Sequence, residues 1–118
     1  MKAEIHSYNV VVQRRASDAN VGDDVRYLFL NGKEQETGDF LDFTIHFYET
    51  DNRDMGTFNP VSGVAVGLPV KDFTDMYHIL QTEVGVLATF ETDENNKVIF
   101  FSMVTRDAQI GHGFTNTP

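Results

Sequence analysis

The most consequential absence from this chain is cysteine, of which its 118 residues contain none. Without thiols the fold has no disulfide, no thiolate nucleophile and no cysteine-ligated zinc. The four histidines are too far apart in the sequence to form a two-histidine metal motif on a helix. We therefore predict neither a cofactor nor a metal site, and we expect the fold to depend on its apolar core.

Positive charge is also scarce. Nine lysines and arginines face 18 acidic residues, which gives a net charge of −9, and only Arg14 and Arg15 are adjacent bases. Nucleic-acid binding needs clustered cations that displace the counterions of a phosphate backbone. Anionic membrane surfaces repel such a chain for the same reason. We expect no nucleic-acid partner and no membrane partner.

Long apolar runs and recognisable catalytic motifs are missing as well. No segment approaches the ~20 apolar residues of a membrane span, and residues 1–6 lack the apolar run of a signal peptide. The expected location is therefore the cytoplasm. The glycines do not form a phosphate-binding loop, and no serine lies in a nucleophile elbow. No catalytic residue is assigned.

What the chain does contain is typical of a β-sheet protein. Valine, isoleucine, leucine and phenylalanine account for 34 of the 118 residues, of which 18 are β-branched and ten are Phe. Such residues suit a pleated sheet better than a helix bundle. The length predicts a single β-rich domain over residues 1–107, followed by a flexible tail over 108–118.

Hydrophobic periodicity predicts about six strands and one helix. The predicted strands span 5–13, 25–30, 40–48, 61–68, 86–92 and 97–105. Asn31-Gly32 is the strongest short turn signal, because both residues tolerate positive φ angles, and 93–96 predicts a hairpin turn. After Asn31-Gly32 the sequence allows either a tight turn followed by a polar strand or one long loop over 33–39, and the loop is preferred. The segment 49–59 is also interpreted as a loop.

One segment has helical spacing, with apolar residues at Phe73, Met76, Tyr77 and Leu80. Asp72 precedes this stripe and is a candidate N-cap. The sequence thus predicts an amphipathic helix over 72–83, between strands four and five. Together these elements indicate an α+β fold, mainly β, with largely antiparallel strands arranged as a curled sheet, a barrel or a sandwich.

The clearest alternation in the chain lies over residues 41–48. Its polar positions are Asp42, Thr44, His46 and Tyr48, which share one face of the predicted strand. These four are the candidate ligand-binding residues. Asp42 and His46 lie ~13 Å apart on such a strand and cannot hydrogen-bond, so a partner for His46 must come from a neighbouring strand. The simpler interpretation is a solvated polar face on which His46 titrates near its ordinary pKa.

The last predicted strand is apolar on both faces. Strict alternation places Val98, Phe100 and Val104 on one face, and Ile99, Phe101 and Met103 on the other. A strand of this kind is expected at the centre of a sheet or buried in a dimer.

Three functions remain open at this point. The first is a non-enzymatic binding or assembly module that acts as a homo-oligomer, most simply a dimer. The second is a β-barrel or cupped-sheet carrier, whose ten Phe and four Tyr line a cavity for a small apolar ligand. The third is an enzyme that uses His46 with Asp42 or Tyr48.

Overall fold

A computed structural model describes residues 1–13, 25–48, 55–83 and 85–105 of the protein. These residues form seven strands, one 3₁₀ turn and one α-helix. The strands are β1 Lys2–Gln13, β2 Val25–Glu34, β3 Phe40–Tyr48, β4 Gly56–Asn59, β5 Gly63–Pro69, β6 Val86–Thr92 and β7 Val98–Thr105. The 3₁₀ turn Val70–Asp72 leads directly into the helix α1, Phe73–Thr82. The predicted tail 108–118 lies outside the described residues.

All seven strands belong to one mixed sheet, in the order β4-β5-β3-β2-β1-β6-β7. The β3–β5 pair is parallel, and the other neighbours are antiparallel. The two ends of the sheet meet where the Phe58 amide donates to the Asn96 carbonyl at 2.8 Å. The sheet is therefore curled and nearly closed. This confirms the predicted fold class, with seven strands rather than six and with one parallel pair.

The core lies inside the curled sheet and is rich in phenylalanine. The inward side chains of β3 are all buried, as the alternation over 40–48 predicts. Phe43 lies 5.7 Å from Phe90 and 6.0 Å from Phe101 between ring centroids, and Phe58 lies 5.5 Å from Phe90. These rings pack on one another, and their removal from water is the main stabilising contribution of the core.

Helix α1 covers one end of the sheet. The Phe73 ring meets Phe47 edge-on at 5.1 Å, and Tyr77 meets Tyr8 edge-on at 6.1 Å. The guanidinium of Arg26 lies 5.6 Å from the centre of the Phe73 ring. The predicted helix is confirmed, but Asp72 makes no capping hydrogen bond, since it belongs to the preceding 3₁₀ turn. Within the described residues, no helix is long and apolar enough to cross a membrane.

The prediction of a turn at Asn31-Gly32 is wrong, because both residues lie inside β2. Glycine is needed at position 32 for close packing: a Cβ there would lie 2.7 Å from the Glu4 carbonyl oxygen of β1. The chain reverses after Glu34 instead, and the Gly38 amide donates to the Glu34 carbonyl at 2.8 Å. The Glu34 carboxylate accepts the Glu36 amide at 2.7 Å, and this bond lowers the pKa of Glu34.

Strand β4 falls inside the segment 49–59 that the sequence predicts to be a loop. It is only four residues long and begins at Gly56, which has a φ of 121°. Strand β5 begins at Gly63 rather than Val61, because the Asn59 side chain accepts the Val61 amide at 2.7 Å and shapes a turn. The predicted fourth strand is therefore the second half of a short hairpin.

Strand β7 departs from strict alternation at a bulge. Glu91 pairs with Phe100 and Thr92 pairs with Val98, so Ile99 is an extra residue without a partner in this ladder. The bulge turns Val98 inward, on the same face as Phe101 and away from Phe100. The predicted grouping of Val98 with Phe100 is therefore wrong. Of the two predicted positions, the centre of the sheet is wrong, because β7 is the last strand in the sheet order, and burial in a dimer stays a prediction.

Candidate functional site

The four predicted ligand-binding residues share the outward face of β3, but they divide into two groups. Asp42 accepts a hydrogen bond from the Asn31 amide at 3.0 Å, and Asn31 in turn accepts one from the Ser7 hydroxyl at 3.1 Å. This short chain crosses from β3 to β2 to β1. Thr44, His46 and Tyr48 instead line a groove further along the strand. His46 and Asp42 are not brought together.

His46 lies in a row of aromatic rings on the outer surface of the sheet. Tyr27 of β2 stacks on it with centroids 4.6 Å apart and an interplanar angle of 22°. Tyr48 lies 4.1 Å away at an angle of 51°, and Phe29 stacks 5.7 Å from Tyr27. Tyr27 is the partner from the neighbouring strand that the sequence did not identify. It faces His46 because the β2–β3 register pairs these two residues.

The stacked rings exclude water from part of the imidazole. This partial burial lowers the pKa of His46 below its ordinary value of 6.5. The direction differs from the expectation for a fully solvated face. At neutral pH the ring is therefore uncharged, with one nitrogen that donates a hydrogen bond and one that accepts. Since desolvation is the cause, the surroundings of His46 favour a neutral ligand over a charged one.

The groove beside these rings has a floor of small residues. Ala65 and Gly67 occupy the β5 positions next to Thr44 and His46 in the parallel pairing, and Gly56 of β4 also lines the groove. The groove has a volume of about 370 Å³ and is open to solvent. Because the neighbouring strand contributes almost no side chain here, a trench remains next to the His46 and Tyr48 rings.

A second surface is the exposed side of β7. Ile99, Phe100 and Val104 are 59%, 44% and 42% exposed, and Val104 pairs across the ladder with Leu87 of β6. Strand β7 contains no charged residue and no proline. One edge of β7 pairs with β6. Among the described strands, the other edge is bridged only to β4, at Lys97, just before β7 begins. Edge strands of natural proteins usually carry charged residues or proline, because an open edge pairs with other chains.

A third feature is a smaller groove where β1 separates from β6. These two strands pair only over Lys2–Glu4, and the gap beyond is lined by residues of β1, the end of α1 and the start of β6, among them Tyr8, Leu80 and Val86. Its volume is about 260 Å³. Helix α1 closes one side of this gap, so the groove is mainly a consequence of how the helix packs.

The comparisons with known proteins identify no relative. No protein-family model, curated protein or solved structure matches this chain. Across the described ranges, no group of three or more histidine, aspartate or glutamate side chains is arranged to hold a metal ion. The aromatic groove and β7 are therefore the features of the molecule that bear on its function.

Proposed function

We propose that this protein is a non-enzymatic binding or assembly module that acts as a homodimer, joined through β7. The observation that supports this most directly is that β7 is an uncharged strand at the end of the sheet, with Ile99, Phe100 and Val104 exposed on it. A second copy is the partner that matches this surface best, because it carries the same strand.

Two β7 strands can pair in antiparallel fashion about a two-fold axis. Each would then supply the backbone donors and acceptors that the other leaves open, and the interface would be self-complementary. The exposed apolar side chains would be removed from water in the same step. Two molecules that each carry a net charge of −9 repel one another, so contact through an uncharged strand is the arrangement that charge opposes least.

The small-ligand carrier is the alternative function. It requires a cavity lined by aromatic side chains, whereas the rings of Phe43, Phe90 and Phe101 contact one another. Contacts of this kind are typical of a close-packed core. For an enzyme built on His46, Asp42 has less support as the partner because it is bonded to Asn31, whereas the Tyr48 ring lies 4.1 Å from the His46 ring. The cytoplasm remains our expectation for the location, and fractionation of cells that express the tagged chain would test it.

The dimer is tested by light scattering on the purified full chain at tens of micromolar. We expect the wild-type mass to be twice that of one chain and Val104→Lys to be monomeric, because each copy would place an ammonium group among the apolar side chains of the interface. Val61→Lys is the matched control, since Val61 is 96% exposed in the β4–β5 turn. This variant should remain a dimer.

A monomeric wild type at this concentration contradicts the proposal. So does a Val104→Lys variant that keeps the dimer mass, because the interface must then lie elsewhere. Far-UV circular dichroism of both variants checks that a monomeric mass of Val104→Lys does not result from unfolding.

A further inference from the structure

We propose that the groove between β3 and β5 binds a neutral pyranose ring, which stacks on the outer side of the Tyr48 ring and lies beside the His46 imidazole. This site lies on the outer face of the sheet and does not depend on the pairing of β7. Its volume of about 370 Å³ falls at the lower end of the range for small-molecule sites. The trench over Ala65 and Gly67 gives a ring-shaped ligand room to lie beside the aromatic row.

The polar groups of the groove match a ligand rich in hydroxyl groups. Thr44, Tyr48 and His46 line it, and the hydroxyl groups of the first two and the neutral imidazole of the third can each both donate and accept a hydrogen bond. Sugar hydroxyls have the same dual character. The apolar C–H face of a pyranose is complementary to the negative face of an aromatic ring.

The charge of the groove argues for a neutral ligand. None of its lining residues carries a formal charge at neutral pH, given the lowered pKa of His46. A phosphate or carboxylate group would therefore find no cation there, and the net charge of −9 would repel it. An ammonium group would likewise find no carboxylate in the lining.

The arrangement of the rings favours a sugar over a flat heteroaromatic ligand. Tyr27 stacks on one side of His46 and Tyr48 lies against it on the other. No slot is thus left between these rings for a planar ligand to be sandwiched. A ligand must lie on the outside of the row and form hydrogen bonds to hydroxyl groups from the edge of its ring. This geometry suits a saturated ring that carries hydroxyl groups.

The site is tested by adding methyl glycosides of glucose, galactose, mannose and N-acetylglucosamine to the ¹⁵N-labelled full chain at millimolar concentration. At least one should shift the amide resonances of Thr44, His46 and Gly67 in a saturable way. Tyr48→Ala should weaken that binding about tenfold, because the stacking surface is lost. Phe40→Ala is the matched control, since Phe40 lies on the same strand, is 85% exposed and does not line the groove; its affinity should stay within about twofold of the wild type.

Ala65→Leu is a second variant that guards against a folding defect in Tyr48→Ala. Ala65 is exposed, so the larger side chain should fill the trench without disturbing the core, and glycoside binding should be lost. The proposal is overturned if no glycoside binds, if the shifts lie outside the groove, or if Tyr48→Ala or Ala65→Leu binds like the wild type. Binding of adenine or indole in the groove without binding of any glycoside also overturns it.

Discussion

His46 differs from the other described histidines in its surroundings. Its ring is stacked on Tyr27 and Tyr48, whereas His6 and His78 are exposed. The pKa of His46 is lowered because partial burial disfavours the charged imidazole. We therefore expect its midpoint in an NMR titration to lie below the ordinary histidine value of 6.5. A midpoint at or above that value would mean that the aromatic row does not shield the ring in solution.

The lowered pKa also has a consequence for stability. The unfolded chain takes up a proton at the ordinary pKa of 6.5, before the folded chain does. The stabilising effect of a neutral His46 is therefore complete above that pH and is lost as the pH falls through the lower pKa of the folded state. Replacement of His46 by phenylalanine should reduce the acid sensitivity of urea unfolding in this pH range.

Gly32 is the second residue with a specific requirement. Gly32→Ala places a methyl group 2.7 Å from the Glu4 carbonyl oxygen, which is backbone and cannot rotate away. We expect the free energy of unfolding to fall by about 1–3 kcal/mol, the usual cost of overpacking. Gly38→Ala is the comparison, since nothing lies within 4 Å of a Cβ there and only its positive φ of 78° opposes the change. A larger loss at Gly38 would contradict the packing between β1 and β2.

At the scale of elements, α1 is stabilised by the sheet beneath it. Leu80 packs against the core from the helix but is only partly buried. Leu80→Ala should therefore cost about 1–3 kcal/mol in urea unfolding, less than the loss at a well-buried leucine. Gln81→Ala changes the exposed next residue and should alter stability by less than ~0.5 kcal/mol. Equal effects of the two variants would show that α1 does not dock through this stripe.

The elements that the sequence predicted well are those with one regularly spaced apolar face. Strand β3 and helix α1 each combine a regular apolar period with a polar opposite face, so their residues alone define them. Strand β4 was missed because four residues are too few for a period. The Asn31-Gly32 pair was misleading because Gly32 serves a contact between strands rather than a turn.

The candidate site was predictable only in part, because half of it depends on how the strands pair. Alternation places Thr44, His46 and Tyr48 on one face, and the structure has them along one groove. The stacking of Tyr27 and the trench over Gly67 depend on which strands lie beside β3 and in what register. Nothing within a single strand reports that register, since the partners come from distant parts of the chain.

At the scale of the whole molecule, curling brings the two ends of the sheet together without pairing them along their length. Strand β4 has four residues and β7 has eight. The bridge Thr57–Lys97 and the Phe58–Asn96 hydrogen bond join β4 to the residues just before β7. The bulge at Ile99 exposes one more apolar side chain beside Phe100, on the strand through which we propose that a second copy binds.

The absence of cysteine makes the proposed β7 dimer directly testable, because a single introduced thiol is the only one in each chain. Ser102→Cys lies near the middle of β7, where two antiparallel copies would bring the thiols close together about the two-fold axis. Ser62→Cys, in the exposed β4–β5 turn, is the control. With a short bis-maleimide at micromolar protein concentration, we expect Ser102→Cys to form covalent dimers rapidly and Ser62→Cys to remain monomeric on denaturing gels. Equal cross-linking of the two variants, or none for Ser102→Cys, would contradict a dimer joined through β7.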